Sequence, residues 1–445
     1  MAGPAALGIL RPPKQLRGVA PLLSPAIELP DPSHRRPPIV TVATSTPTRK
    51  LVFGATLVFA MAVSAYTQFL LGILGPLMIG DLGLTRTQFG ALTTAIFVIG
   101  GVGAPLLGPL VDSLGGRRVL VALFLAGGIS WVTMGLAPTF TILLIGACFA
   151  GFVRGASNPV GNQLIATHAP AQHQGLIMGI SKSGAQIGAF GAGVILPPVA
   201  VAFGWRGATF GSAVLAVLGL ILTFLVIPPD GSREELRARS RGSSTSESRG
   251  LLWWLGGNAA LVGFGGGSVN AYLPLFAVER LDMSVAAAGA VVSVMALTGI
   301  VGRIYWGRQT ERFRSPQVAI VVLCLLGAVS LTLLTLATAG GELLVWAGAI
   351  AFSVSTGSWI AVGMTTVITQ VPVTLSGRVS GVVLGCFYGG FAFSPITFGA
   401  LVDLTDSYVL AWGMSVVSFT AAAGVALVSH RRRGRSRGPL SEESR

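Results

Sequence analysis

From Leu51 to Ser429 this chain is a series of apolar runs, each about 20 residues long, joined by short polar stretches. A run of that length, wound as a helix, crosses a hydrocarbon layer of ~30 Å. Inside such a layer every backbone amide and carbonyl must be satisfied within the segment, so the runs have to be helices. They are continuous rather than alternating, which excludes a β-barrel. With 52% hydrophobic and 10% charged residues over 445 positions, the chain is too apolar for an aqueous domain of this size. The expected fold is an all-α polytopic membrane protein. Twelve transmembrane helices are placed near 51–73, 87–110, 118–136, 140–163, 173–197, 205–227, 251–275, 285–306, 317–338, 342–367, 375–398 and 408–429.

The net charge of +14 has a pattern. Of 30 Lys and Arg, seven precede Leu51, five lie between Pro228 and Leu251, and six follow Ser429. Arg117, Arg118, Arg303, Arg308, Arg312, Arg314 and Arg378 are read at the remaining joints on that same side, against Arg86, Arg206 and Arg280 on the other. This is the positive-inside bias of a multi-pass protein in the plasma or inner membrane, and it puts both termini in the cytoplasm. Charge arranged by loop argues for the lipid bilayer as partner and against nucleic acid. Cys148, Cys324 and Cys386 lie within apolar runs without metal-ligand spacing, so no metal and no cofactor is expected.

Residues 1–50 form a basic, Pro-rich segment without periodicity, expected to be a disordered tail. A polar linker, 228–250, divides two six-helix bundles, 51–227 and 251–429, and a basic tail, 430–445, follows. The halves echo each other at an offset of about 200 residues. GPLVDSLGGRR (108–118) closes the second run and GRQTERFR (307–314) the eighth; GLIMGISKSGAQIG opens the fifth and GRVSGVVLGCFYGG the eleventh. Pseudo-symmetric halves with a substrate site near mid-membrane are a recurrent transporter plan.

Two cations stand out within the runs. With helix ends near Gln163 and His173, Arg154 and Lys182 each lie nine residues from a shared loop. That is ~14 Å deep, close to mid-membrane. No Asp or Glu occurs between Asp112 and Asp230 to neutralise them. An intramembrane charge without a partner is a functional-site candidate, and the missing partner here is a small anionic solute. Asn158 and Gln186 stand one turn from Arg154 and Lys182, adding donors to the same faces. Arg grips an oxyanion with two parallel bonds, and Lys adds a point charge.

On these motifs the chain resembles the major facilitator superfamily of secondary transporters, from Leu51 to the end of the twelfth run. GPLVDSLGGRR matches the family's loop signature of a Gly, an acid and Gly-Arg-Arg. The second copy has Glu311 for the usual Asp and no Gly before its arginines. Arg154 holds the place of the family's fourth-helix Arg, with Ser157 and Asn158 where a Gln-Gly pair is usual. GAQIGAFGAG resembles the glycine-rich motif of antiporters, but Ala189 replaces its Pro, which argues against drug efflux. SNPVGNQLI, GISKSGAQIGAFGAGVILPP and GWRGATF are similar to carriers of cyanate and nitrate type.

The resemblance implies alternating access by two rocking bundles. Asp112 with Arg117 and Arg118, and Glu311 with Arg308 and Arg312, are candidate conformational clasps at helix ends. The second half offers no charge at the positions equivalent to Arg154 and Lys182. Its polar candidates for the cavity wall are Asn270, Tyr272, Ser355, Thr356, Trp359 and Tyr388, joined by Tyr66 and Gln68 of the first run. The expected function is secondary transport of a small organic or inorganic anion by a monomer. Lys182 is the one group that could take up a proton with the anion, giving symport. The alternative is an exporter of drugs or metabolites. No P-loop and no intramembrane Ser/His or paired Asp/His points to an enzyme.

Overall fold

A computed structural model describes residues 47–169, 174–229, 249–312, 316–370 and 373–436. The tail before 47, most of the 228–250 linker and the chain beyond 436 lie outside the described residues. The helices are α1 (Pro47–Leu82), α2 (Arg86–Leu114), α3 (Gly116–Gly135) and α4 (Phe140–His168). The next helical run, Gln174–Val226, is broken at Gly204, whose φ of 71° belongs to the left-handed region open to glycine. It therefore comprises α5 (174–203) and α6 (205–226). The second half holds α7 (Arg249–Leu281), α8 (Val285–Arg312), α9 (Pro316–Ala337), α10 (Glu342–Gln370), α11 (Val373–Thr405) and α12 (Tyr408–Ser436).

Ten described helical segments are long and apolar enough to cross a membrane, and one of them, Ile177–Val226, holds both α5 and α6. Successive helices alternate direction. The face where α1 starts and α12 ends is the termini face; the opposite one is the far face.

Several helices outrun their expected ends. α1 continues through Pro76 to Leu82, α7 through Pro274 to Leu281, and α11 through Pro395 to Thr405. Proline ends a helix in water because it removes one bond and crowds another. Among packed membrane helices the freed carbonyl finds other partners, and the helix goes on.

Each half packs mainly on itself. α1 pairs with α5 and α2 with α4; in the second half α7 pairs with α11, and α9 with α10 and α12. Trp131 and Phe124 fill the first core, and Trp359, Trp412, Phe276 and Phe398 the second. The close pairs depend on missing side chains. A Cβ on Gly188 of α5 would strike the Ala62 carbonyl of α1, and one on Gly390 of α11 would strike the Ala260 carbonyl of α7. Gly390→Val should therefore force α7 and α11 apart and lower stability by ~1–3 kcal/mol or more. Thermal unfolding in detergent checks this. Gly389→Val, whose added atoms meet open space, is the control and should change stability by under ~0.5 kcal/mol.

The halves meet along α2–α11, α5–α8 and α1–α7. At the far face this contact becomes a latch. The carboxylate of Asp403 on α11 accepts from the backbone amides of Arg86 (3.0 Å) and Thr87 (2.7 Å) and from the Thr87 hydroxyl (2.6 Å). Thr85 and Gln88 form a capping box on the same turn. The first-turn amides of α2 are thus shared between its own cap and an acid from the other half, which also meets the positive end of the helix dipole. Arg86 adds an ion pair to Glu279 of α7 at 3.2 Å, and Glu279 also accepts from the Tyr408 hydroxyl at 2.7 Å. The Tyr272 hydroxyl donates to the Arg86 carbonyl.

Candidate functional site

α4 runs from the far face to His168, five residues past its expected end, while α5 begins at Gln174. Arg154 is thus at the middle of its helix, and Lys182 is nearer the termini face. The equal depth expected from the sequence becomes a stagger of between one and two turns, Arg154 lying 14 residues from the end of α4 (168 − 154) and Lys182 eight from the start of α5 (182 − 174). The Lys182 ammonium bridges it by donating to the Asn158 side-chain carbonyl, one turn below Arg154. Gln186, one turn further along α5, lies against Gly299 of α8.

Arg154 is caged by aromatic rings from both halves. Its guanidinium carbon stands 4.8 Å from the ring centre of Phe97 on α2 and 5.8 Å from that of Tyr388 on α11. Phe97 in turn packs on Phe391, their centroids 4.4 Å apart. A guanidinium over a ring face gains ~0.5–2 kcal/mol. That attraction holds Arg154 in place without neutralising it.

The second half does supply a cation. Arg303, expected at a loop, lies inside α8, nine residues before its end at Arg312. Its Nε donates to the Gly357 carbonyl of α10 at 3.1 Å. A sequence signal existed: Ile304, Tyr305 and Trp306 carry the apolar run one turn past Arg303. The expectation of a neutral second half failed because it compared only positions equivalent to Arg154 and Lys182.

None of these three cations forms an ion pair among the described residues; the pairs found there are Arg86–Glu279, Arg206–Asp81 and Arg280–Asp406, all at the far face. The carboxylates whose side chains are described, Asp81, Glu279, Asp282, Glu342, Asp403 and Asp406, also belong to helix ends and joints on that face. No cluster of metal-ligating side chains occurs among the described residues.

The other sequence candidates divide by place. Tyr388 lies beside the Arg154 guanidinium. Asn270 is half-buried, its amide donating to the Gly266 carbonyl one turn back on α7. Tyr66 is buried in the first-half core, edge-on to Trp131 and bonded to Ser212. Trp359 is buried in the second, stacked on Phe387 with its indole N–H on Asn258. Tyr272 belongs to the far-face latch. Ser355 donates to the Leu323 carbonyl. Gln68 and Thr356 each keep a buried side-chain oxygen without a partner among the described residues.

At the termini face, Arg117 lies over the Phe224 ring of α6 and donates to its carbonyl, Arg118 donates to Leu114, and Arg308 is exposed. The side chains of Asp112, Glu311 and Arg312 lie outside the described residues.

Comparison with known proteins places this geometry. The family model for the Major Facilitator Superfamily matches residues 57–395. A probable sulfoacetate transporter of Cupriavidus necator is 25% identical over 382 residues, covering 78% of this chain and 85% of its own length. A probable nitrate/nitrite transporter of Mycobacterium tuberculosis is 23% identical over 421 residues, covering 88% and 98%. Among solved structures, a bacterial homolog of the human lysosomal transporter Spinster superposes with a TM-score of 0.70 at 15% identity, covering 89% of this chain and all of that one.

Proposed function

The chain belongs to the Major Facilitator Superfamily of transporters, and from that premise we propose that it carries a small organic or inorganic anion across the cell membrane by alternating access. The observation that supports this most is a set of three cations inside the membrane-crossing helices, Arg154 at the middle of α4 and Lys182 and Arg303 nearer the termini face, with no carboxylate at those levels among the described side chains. Charges so placed are costly unless something answers them, and a negatively charged substrate does so on each cycle. The two relatives named above are described as carriers of anions, sulfoacetate and nitrate or nitrite, which agrees with this reading. Arg154, Lys182, Asn158, Gln186 and Tyr388 are the proposed substrate contacts, and Arg303 joins them. The termini face is cytoplasmic by its excess of Lys and Arg. With the far face latched, the substrate enters or leaves from the cytoplasm. Proton symport would run through Lys182.

Thermal stabilisation of the purified protein by nitrate, acetate and small organic diacids tests the proposal, with Arg154→Gln alongside. The expected result is that at least one anion stabilises the wild type, and that the variant loses at least about tenfold in affinity, the equivalent of one charge-assisted contact. Stabilisation of both proteins alike by neutral or cationic compounds, with no response to anions, would overturn it.

A further inference from the structure

α5 and α8 run antiparallel across the boundary between the halves, and their contacts keep a steady register. Near the far face a Cβ on Gly193 would strike Gly289 and Ser293. One turn down α5, the Phe190 carbonyl accepts from the Ser293 hydroxyl at 3.2 Å. A further turn down, the Gln186 amide nitrogen stands 3.1 Å from where a Cβ on Gly299 would be. Each turn down α5 is met by a turn or so up α8. Carried one step further, this register puts Lys182 of α5 and Arg303 of α8, one cation from each half, at a similar depth.

Both have capacity left. Arg303 has one guanidinium N–H on the Gly357 carbonyl, and four further N–H groups remain in its fork. Lys182 has one of three N–H groups on Asn158. Asn158 shares α4 with Arg154, and Arg154 in turn lies against the Tyr388 ring of α11.

We propose that Arg303 is a specificity-determining residue for a doubly charged anion, whose two acidic groups bridge Lys182 and Arg303 across the halves while Arg154 holds it against the aromatic wall. The inference rests on the anion-carrier reading above and narrows its substrate class. The termini-face ends of α5 and α8 must draw together when the cavity closes toward that face. That movement brings Lys182 and Arg303 closer, and like charges oppose it most where water is scarce. A monoanion leaves two of three positive charges unanswered, whereas a dianion leaves one.

The test is binding to the purified full chain. Malonate, succinate and sulfoacetate are each compared with the half-ester that removes one charge at nearly constant size. The measurement is repeated on Arg303→Gln and Arg303→Lys. In the wild type at least one dianion should bind about tenfold or more tighter than its half-ester, the effect of one further charged contact. Arg303→Gln should shrink that preference to about threefold or less, and Arg303→Lys should retain most of it. The inference is overturned if half-esters bind as tightly as their parent dianions in the wild type, or if Arg303→Gln keeps the preference. If no anion of either class binds the wild type, the anion-carrier reading itself has failed, and that outcome is distinct. If Arg303→Gln does not fold, Arg303→Met decides by the same ratio: a preference shrunk to about threefold or less supports the inference, and a preference kept, or a collapse of all binding with lowered thermal stability, overturns it.

Discussion

Lys182→Met should abolish anion-dependent transport without lowering the thermal stability of the ligand-free protein. The ammonium of Lys182 has a single neutral partner, the Asn158 carbonyl. A lysine at the bilayer centre costs ~2.5–3.5 kcal/mol by insertion scales, and Lys182, nearer the termini face, costs somewhat less. A hydrogen bond from a charged donor returns ~1.5–3 kcal/mol. The two nearly cancel, so replacing the ammonium with an apolar chain of similar length should leave stability level or raise it by ~1 kcal/mol. Function should move much further. Removing one of the groups that answer the substrate's charge should lower uptake into proteoliposomes by about a hundredfold, the equivalent of ~2.7 kcal/mol. A structural Lys182 predicts the reverse pair of results, with a clear fall in melting temperature and uptake reduced only in proportion to folded protein. Stability that holds while uptake collapses is the pattern of a residue kept for its ligand.

Asp403→Ala should release the far face. Its carboxylate accepts from two backbone amides and one hydroxyl of the other half. Bonds to a charged acceptor contribute ~1.5–3 kcal/mol each in favourable cases, and water recovers part of this when the face opens. A net shift of ~2–3 kcal/mol changes the ratio of latched to unlatched molecules by about 30- to 150-fold. Spin labels on Leu82→Cys at the end of α1 and Leu404→Cys near the end of α11, in a background lacking Cys148, Cys324 and Cys386, read this as a distance distribution. The distribution should lengthen in Asp403→Ala and change less in Arg86→Gln, which removes the half-exposed ion pair to Glu279 but keeps both backbone bonds. A distribution unchanged by Asp403→Ala means that apolar packing of α2 against α11 closes the face unaided.

The two variants probe different ends of one cycle. On the proposed function, Arg154, Lys182 and Arg303 set what is carried, and the far-face acid sets how readily that face stays shut. A carrier needs both states within a few kcal/mol of each other, so a latch of a few hydrogen bonds is of suitable size.

The helices and their crossing of a membrane were legible in the sequence, because a continuous apolar run of this length leaves the backbone one way to satisfy itself. The functional importance of Arg154 and Lys182 could be argued there too, since an intramembrane charge is costly whatever surrounds it. The sequence did not show what those charges face. Arg303 looked like a loop residue, yet α8 runs on past it to Arg312, and its bond to the Gly357 carbonyl joins segments 54 positions apart. Tyr272 looked like a cavity wall, and packing placed it beside Arg86 at the far face. Asp403 carried no motif at all, because a helix cap supplied from 316 residues away leaves no local trace. Local periodicity reports how each helix meets lipid and core. Which polar groups meet each other is decided by register between helices, and that register is set by glycines and large side chains of both partners at once.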